Sequence, residues 1–279
     1  MMEKKPIKRA AVLHDMCSVG RAAMTNILPV LSMMGVEACP VPTMLLSTHT
    51  GGYGRPVMCP VPEFPRECAS HLKSQGIKFD ALFVGYMGNA QVTDSVLGFM
   101  STYSDAMVIF DPIMADNGQY YQNFGESYKR QLQKLLKYSD IITPNFTESC
   151  FLADEPYTDR CGQSELLSVC RRLEELGSRR IVITSVPLEG CSLGIAVYEE
   201  GELEIFPKEP AGRFYHGTGD LFAAVLLGRI LQGRALVPAA LSAHEFVSLC
   251  IRKSDEYDYD IREGILLEPC LKYLMQEIL

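Results

Sequence analysis

The sequence predicts an α/β fold with a mainly parallel central sheet covered by helices on both faces. Short, continuously apolar segments such as 81–85 and 106–110 recur along the chain and are typical of buried strands. Segments with helical periodicity alternate with these strands, as in parallel sheets, where each crossover usually needs a helix. No composition break marks a second domain, so we expect residues 1–279 to form a single domain.

The predicted elements follow in order from the N-terminus. They are strand 10–13, helix 22–34, an extended segment 36–43, helix 64–75, strand 81–85, a helix ending near 100, strand 106–110, helix 122–138, strand 141–142, a helix opened by 143–148, helix 164–176, strand 180–183, a hairpin of 193–197 and 203–206, a buried helix from 220, and helices 239–253 and 265–278. Pro40 and Pro42 lack an N–H and favour a sheet edge for their segment. The intervening polar segments 14–21 and 47–54 are predicted to be loops, and the acidic run 255–260 a solvated loop.

Composition excludes several classes of function. A formal net charge of −8 argues against nucleic acid or an anionic membrane as the main partner. No apolar run is long enough to span a membrane, and residues 1–9 do not resemble a signal peptide. The 10 cysteines show no CxxC spacing, so we expect reduced, mostly buried thiols and a cytoplasmic protein rather than a zinc protein.

A glycine-rich turn followed by an aspartate, Gly217-Thr218-Gly219-Asp220, precedes the buried helix. The glycines allow close approach to a ligand, and the unpaired N–H groups of a helix start attract anions. A carboxylate beside such a site would repel phosphate, unless it accepts a proton from an attacking hydroxyl. The turn alone fits a phosphoryl-transfer site and a simple capped helix equally well.

Other residue types that perform chemistry come directly after predicted strands. They are Asp15, Tyr86, Asp111, Asp116, Thr143, Asn145, Glu148 and Thr184. Each alone could be a cap or a turn residue, but the carboxyl ends of parallel strands meet at one edge of a sheet, where ligands bind. Carboxylates beside a phosphate site indicate Mg²⁺, with Asp116 and Glu148 as candidate ligands, directly or through water.

The competing motifs are missing or weak. The sequence has no GxxxxGK[ST], no complete GxGxxG and no GxSxG, which leaves no Walker-type loop, dinucleotide fingerprint or nucleophile elbow. Cys17 follows the first strand, but no basic partner stands near it in the sequence, and a packed thiol is the simpler interpretation.

Taken together, these blocks resemble the ribokinase-like superfamily and, within it, the pyridoxal and pyridoxamine kinases of Firmicutes-type bacteria. The turn at 217–220 resembles the anion hole and catalytic aspartate of that superfamily. The blocks 111–118 and 143–148 are similar to two further blocks of its vitamin kinases, 47–51 to the substrate loop of pyridoxal kinases, and 14–21 to their first turn. The blocks occur in the family's order from the first strand to the final helices.

The resemblance implies an ATP-dependent kinase acting on the 5′-hydroxymethyl group of pyridoxal, pyridoxamine or pyridoxine, without a separate lid domain. It implies Mg²⁺, a possible K⁺ requirement, small-molecule partners only, and a cytoplasmic homodimer. Asp220 would be the base, with Gly217, Thr218 and Gly219 receiving the phosphate. Substrate contacts would come from Asp15, Thr48, His49, Thr50 and Tyr86, and nucleotide contacts from Asp111, Tyr121, Thr143, Asn145, Glu148 and Thr184, with Asp116 and Glu148 nearest the metal.

Two departures from the family pattern are visible. Cys17 and Ser18 stand where the family has serine and glycine, and Ala115 stands where it has glycine. Two alternatives stay open: a hydroxymethylpyrimidine kinase of the same fold, whose substrate also offers a hydroxymethyl on a flat ring, and a non-catalytic vitamer-binding homologue.

Overall fold

The computed structural model describes residues 7–122, 124–188, 193–208 and 212–275. Position 123 of the predicted helix 122–138 and the last part of the predicted helix 265–278 lie outside these residues. The chain divides into two compact units, one of Met1–Met107 with Ala211–Leu279 and one of Val108–Pro210. We call them the first and the second unit.

The first unit holds most of the helices. Its elements are β1 (Lys8–Val19), α1 (Met24–Met33), β2 (Val36–Thr48), β3 (Met58–Pro60), α2 (Phe64–Ser74), β4 (Ala81–Val84), α3 (Ala90–Thr102), α7 (Thr218–Leu231), α8 (Leu236–Asp255), a 3₁₀ turn (Ile261–Glu263) and α9 (Lys272–Met275). Its strands lie in the order β4-β1-β2-β3, and β1 runs parallel to both β4 and β2. The α/β fold with a mainly parallel sheet is therefore confirmed.

β1 and β2 are longer than predicted. Their pairing continues past the apolar segment to Val19 and Thr48, with a register shift between His14 and Asp15. The segment 14–19, expected to be a polar loop, is therefore mostly strand. Its alternation places Asp15 and Cys17 in the protein interior, while Met16 and Ser18 are exposed.

The edge position predicted for Pro40 and Pro42 agrees with the structure. These prolines pair with β1 on one side, and β3 covers β2 only at Met44–Leu46 on the other. Among the described residues, no strand lies beside Pro40 and Pro42 on that second side of β2. The N–H that each proline lacks is therefore not required for a ladder hydrogen bond there.

Helix α7 is buried along most of its length, as its apolar sequence predicts. Every residue from Asp220 to Arg229 is buried, and α7 packs against both α1 and α8. At about 1.5–3 kcal/mol for each large apolar side chain, this burial fixes the N-terminal turn of α7 to a rigid core.

The second unit contains the remaining elements. They are β5 (Met107–Phe110), β6 (Ala115–Asp116), β7 (Gln119–Tyr120), α4 (Glu126–Leu136), β8 (Ile141–Ile142), α5 (Phe146–Leu152), α6 (Gln163–Glu175), β9 (Arg180–Pro187), β10 (Leu193–Glu199) and β11 (Glu202–Lys208). Its main strands lie in the order β11-β10-β9-β8-β5. The pairs β5–β8 and β8–β9 are parallel, whereas β9–β10–β11 are antiparallel and include the predicted hairpin.

β6 and β7 form a separate hairpin that the sequence analysis did not predict. Its two-residue turn is Asn117-Gly118, both with positive φ (50° and 73°). Asn-Gly is the preferred pair for a type I′ turn, so the signal was present in the sequence. The hairpin places Asp116 directly before this turn, where it is half-buried.

The C-terminal part of the first unit departs from the prediction. In place of a helix over 265–278, the described residues there contain only the single turn α9. Among the residues that the structure describes, no helix has both the length and the apolar character needed to cross a membrane.

Candidate active site

The turn before α7 has the geometry that its glycines predict. Gly217 caps the helix in the left-handed conformation, at φ 82° and ψ 6°. The backbone N–H of Leu221 already bonds to the Gly217 carbonyl at 3.1 Å. The N–H groups of Thr218, Gly219 and Asp220 precede it and have no acceptor four residues back, so they form the anion-attracting start of α7.

The backbone at Gly217 leaves no room for a side chain. A Cβ there would overlap the Arg21 carbonyl oxygen and lie 2.5 Å from Nδ2 of Asn26. The buried Asn26 amide donates to both carbonyl groups, that of Arg21 at 2.8 Å and that of Gly217 at 3.2 Å. Asn26, which the sequence analysis missed, thus joins the segment after β1 to the turn before α7.

Asp220 lies at the third position of α7 and is only 9% exposed. Its Oδ2 accepts the Ala23 backbone N–H at 2.7 Å, and its Oδ1 lies 3.2 Å from Nε2 of His14. Burial alone would raise the pKa of Asp220, but His14, the Ala23 N–H and the nearby His49 together lower it. Asp220 is therefore ionised and able to accept a proton at neutral pH.

His14 lies between two carboxylates. Its Nδ1 is 2.8 Å from Oδ1 of Asp15, and its Nε2 faces Asp220 at an ion-pair distance but without hydrogen-bond geometry. Burial opposes the charged form, yet Asp15 and Asp220 together raise the pKa of His14 to about 10. The sequence analysis did not single out His14 as a site residue, although its place beside Asp15 at the end of an apolar strand was visible.

Ala23 has a backbone conformation that is rare for a residue with a side chain. Its φ is 57° and its ψ is −140°. A non-glycine residue in this region costs about 1–3 kcal/mol, and such strain clusters at functional sites. Here the strained conformation directs the Ala23 N–H onto the Asp220 carboxylate.

The departure at Cys17 has a direct structural consequence. The Cys17 Sγ donates to Oδ2 of Asp15 at 3.2 Å. Burial and the Asp15 charge raise the pKa of the Cys17 thiol, so it is a packed, protonated group, as the simpler interpretation predicted. Tyr86 packs against the cluster that contains Cys17, and burial followed by the charge of Asp15 raises the pKa of Tyr86 to about 12.

The loop at 47–54 is held by His49. Its Nδ1 accepts the Gly51 N–H at 3.1 Å, so Nε2 carries the proton and donates to the Arg262 carbonyl at 2.6 Å. The ring centroids of His49 and His216 are 4.6 Å apart. Burial, together with His49, lowers the pKa of His216. The predicted substrate residues Thr48 and Thr50 flank this anchor, with Thr48 ending β2 and Thr50 exposed.

The segment 255–260 is largely exposed, as predicted for a solvated loop, and two of its carboxylates also bind neighbouring side chains. Asp255 accepts hydrogen bonds from the side chains of Arg213 and Tyr215, immediately before the turn at 217–220. Asp260 binds the side chain of Arg262, whose carbonyl receives His49. These carboxylates therefore connect segment 47–54 and the residues before the 217–220 turn to the C-terminal segment.

In the second unit, Glu148 and Asn145 form a capping box at the start of α5. The Asn145 Oδ1 accepts the Glu148 N–H, and the Glu148 Oε2 accepts the Asn145 N–H, each at 2.9 Å. The Oε1 of Glu148 accepts the N–H groups of Met114 at 2.9 Å and Ala115 at 3.4 Å. Glu148 thus fixes the loop that precedes Asp116, and its role as a metal ligand stays a prediction.

The remaining predicted nucleotide residues lie in the same unit. Thr184 lies within β9 rather than after it, because this strand continues to Pro187, and it pairs through a parallel bridge with Asn145, which follows β8. The hydroxyl of Thr143 is buried without a hydrogen-bond partner. Tyr121 bonds through its backbone N–H to Met114, and its side chain is 42% exposed.

The carboxylates of the second unit fit a divalent cation. Burial raises the pKa of Asp116, partly offset by the Asn117 N–H, and burial followed by the charge of Asp111 raises that of Glu148. Within the described ranges, no group of three His, Cys, Asp or Glu side chains could hold a metal alone. Magnesium in kinases typically uses one or two carboxylates, waters and substrate phosphates, which agrees with this donor set.

The structure therefore brings the predicted residues together in two sets. One set, in the first unit, comprises Asp15, Tyr86, His49, Asp220 and the 217–219 turn. The other, in the second unit, comprises Asp111, Asp116, Thr143, Asn145, Glu148 and Thr184. An α/β fold with an ionised aspartate on a glycine-bounded helix start and with carboxylates after neighbouring strands is typical of a kinase.

Comparison with known proteins agrees with this class. The chain belongs to the phosphomethylpyrimidine kinase family, whose sequence model matches residues 20–264. The superfamily resemblance stated from the sequence is thereby confirmed.

Three relatives illustrate the range of the family. A pyridoxal kinase, PdxY, from Corynebacterium diphtheriae is 26% identical over 275 residues, which cover 89% of this chain and 92% of that protein. A bifunctional thiamine biosynthetic enzyme from Arabidopsis thaliana is 26% identical over 85% of this chain, and the match spans only 44% of that longer protein. A Bacteroides thetaiotaomicron crystal structure, described as a phosphomethylpyrimidine kinase in a form with pyridoxal, is 35% identical, covers 96% of each chain and has a TM-score of 0.88.

Proposed function

We propose that this kinase transfers the γ-phosphoryl group of ATP to the 5′-hydroxymethyl group of pyridoxal, pyridoxamine or pyridoxine. The proposal rests chiefly on Asp220, a buried carboxylate kept ionised at the start of α7, directly after the left-handed Gly217. The C. diphtheriae pyridoxal kinase and the B. thetaiotaomicron structure with pyridoxal support this substrate class.

The residues of the first unit would perform the chemistry on the acceptor. The vitamer hydroxyl oxygen would form a bond to the γ-phosphorus while the bond from that phosphorus to the β,γ-bridging oxygen breaks, and Asp220 would take the hydroxyl proton. The N–H groups of residues 217–219 would stabilise the charge on the transferring phosphoryl oxygens. Asp15, Thr48, His49, Thr50 and Tyr86 would position the pyridine ring.

The residues of the second unit would bind the nucleotide and its metal. Asp116 would hold Mg²⁺, because its carboxylate is half-buried beside the Asn117-Gly118 turn, and Glu148 would act by fixing the neighbouring loop. When bound, Mg²⁺ would neutralise phosphate charge. Asp111, Tyr121, Thr143, Asn145 and Thr184 would contact the nucleotide or a K⁺ ion.

A hydroxymethylpyrimidine kinase is the second candidate, and the family match itself favours it. Its substrate offers the same reacting group on another six-membered heteroaromatic ring, so the same Asp220 chemistry would serve. A coupled ADP-release assay with pyridoxal, pyridoxamine, pyridoxine and hydroxymethylpyrimidine separates the candidates. Turnover of the pyrimidine alone would refute our proposal, and tight vitamer binding without any turnover would identify a binding protein.

The resemblance also leads us to propose a homodimer. Size-exclusion chromatography with light scattering tests this directly, since the monomer mass is 31.0 kDa. A single peak at the monomer mass at assay concentrations would contradict it.

A further inference from the structure

Two buried carboxylates, Asp15 and Asp220, face the two nitrogens of a single imidazole. Asp15 is 5% exposed and Asp220 is 9% exposed, and His14 between them is 1% exposed. The distances are 2.8 Å from Nδ1 to Asp15 and 3.2 Å from Nε2 to Asp220. Two negative charges so close to each other and so poorly hydrated would repel strongly unless a cation lay between them.

The protonation state of the ring follows from this geometry. A neutral imidazole carries one N–H, so one of the two carboxylates would face a nitrogen lone pair. Nδ1 has a second possible partner, because the Asp15 backbone N–H could donate to it at 3.0 Å. That bond requires a lone pair on Nδ1, as in a neutral ring. The Asp15 carboxylate would then face the same lone pair. The imidazolium, with a proton on each nitrogen, is the only state in which both carboxylates face a donor.

The protein fixes the ring in this position. A Cβ at Gly85 would overlap Cδ2 and Nε2 of His14, so the chain turns past the imidazole at a residue without a side chain. On another side lies the ring of Phe83, with its centroid 6.1 Å away. His14 therefore cannot leave the two carboxylates without disturbing the core.

We propose that His14 is a permanently charged positioning residue that holds Asp220 in place and lets it stay ionised beside Asp15. It does not touch the reacting atoms. Its effect on catalysis rests on the function proposed above, in which Asp220 is the base.

The other titratable groups around His14 are consistent with this role. Asp15 and Asp220 act directly on the ring. Asp15 also accepts from the Cys17 thiol, whose raised pKa keeps it neutral, and Tyr86 nearby is neutral for the same reason. His49 is the other histidine that acts on Asp220. The raised pKa of His14, about 10, means that the imidazolium persists at neutral pH and is lost only as the pH rises through that value.

The first test follows the histidines by NMR in the absence of substrate. The chain has 5 histidines, so ¹³Cε1-histidine labelling gives a small, assignable set of resonances, with His14 identified by its loss in His14→Gln. We expect a His14 midpoint above about 8, well above the ordinary value near 6.5. In Asp220→Asn that midpoint should fall by about 1–3 pH units, because an opposite charge is removed. If the His14 resonance titrates with a midpoint below about 7, or keeps the chemical shift of a neutral imidazole at about pH 7, the proposal is overturned.

The second test compares the pH dependence of kcat in His14→Gln and in a control, His71→Gln, whose side chain is exposed on α2. Removing the His14 imidazolium should raise the pKa of Asp220. The acidic limb of the pH profile of kcat in His14→Gln should therefore shift toward higher pH by about 1–3 pH units. His71→Gln should retain the wild-type limb. An unshifted limb in His14→Gln would overturn the positioning role. If the wild-type protein turned over no vitamer or pyrimidine, the proposed function would fail, whereas the NMR titration would still decide the charge of His14.

Discussion

The close approach of backbone at Gly217 leads to a sharp prediction about Gly217→Ala. The added Cβ would meet the Arg21 carbonyl and the Asn26 amide, and the residue would keep a φ near 82°. Neither the Arg21 carbonyl nor the Asn26 amide can move aside without breaking a hydrogen bond. The carbonyl is backbone and already accepts from Asn26, and the Arg21 N–H is tied to the Glu263 carbonyl at 2.8 Å.

The expected cost has two parts. A left-handed conformation costs an alanine about 1–2 kcal/mol relative to glycine. Overpacking against fixed atoms adds about 1–3 kcal/mol. The total for Gly217→Ala is therefore about 2–5 kcal/mol of unfolding free energy. Relief of the overlap would also move the turn by a few tenths of an ångström to about 1 Å, and a displacement of that size at a reacting group costs about 10²-fold in rate.

The chain supplies a matched control at the other end of the same helix. Gly233 follows α7 with φ 90°, and a Cβ there would meet nothing within 4 Å. Gly233→Ala therefore has the conformational cost alone, about 1–2 kcal/mol, and should leave kcat unchanged.

Urea unfolding and the coupled ADP-release assay measure the two effects on both variants. We expect a larger loss of stability in Gly217→Ala than in Gly233→Ala, and a loss of kcat only in Gly217→Ala. Equal losses of stability, with near-normal kcat in Gly217→Ala, would refute the claim that backbone contact positions the catalytic turn.

Three further outcomes follow from the described contacts. Asp220→Asn should lower kcat by about 10²–10⁴-fold with little change in nucleotide affinity, and near-normal turnover would remove Asp220 from the mechanism. Asp116→Asn should raise the Mg²⁺ concentration for half-maximal activity by about 10–100-fold, measured by Mg²⁺ titration after EDTA treatment, and an unchanged requirement would place the metal elsewhere. Glu148→Gln puts an amide donor against the N–H of either Asn145 or Met114, so it should destabilise the protein by about 1–3 kcal/mol, and an unchanged urea midpoint would contradict the capping-box role.

Much of the fold could be predicted because its signals are local. Apolar runs and helical periodicity located the main strands and helices of both units, and the glycine-aspartate turn was identified at the correct helix start. The length of β1 could not be predicted from its own residues, because segment 14–19 becomes strand only by pairing with β2.

The site was predicted less completely, for a related reason. Asp15 and Asp220 could be predicted as site residues from their residue type and their place after a strand or at a helix start. The role of His14 between them could not, because it depends on contact between a strand and a helix more than 200 positions apart in the sequence. The same holds for Asn26, whose two acceptors belong to distant segments. The acidic run at 255–260 is exposed as predicted, but charge in a sequence does not reveal that arginine and tyrosine partners lie beside Asp255.

The bond from His49 to the Arg262 carbonyl has a consequence for synthesis of the protein. The two residues are 213 positions apart, so segment 47–54 lacks this particular anchor until Arg262 has been synthesised. At about 5–20 residues per second, that interval lasts about 10–40 s. Segment 47–54 would therefore lack this hydrogen bond throughout that interval, and the vitamer binding proposed for the segment would gain its support only once Arg262 has been synthesised.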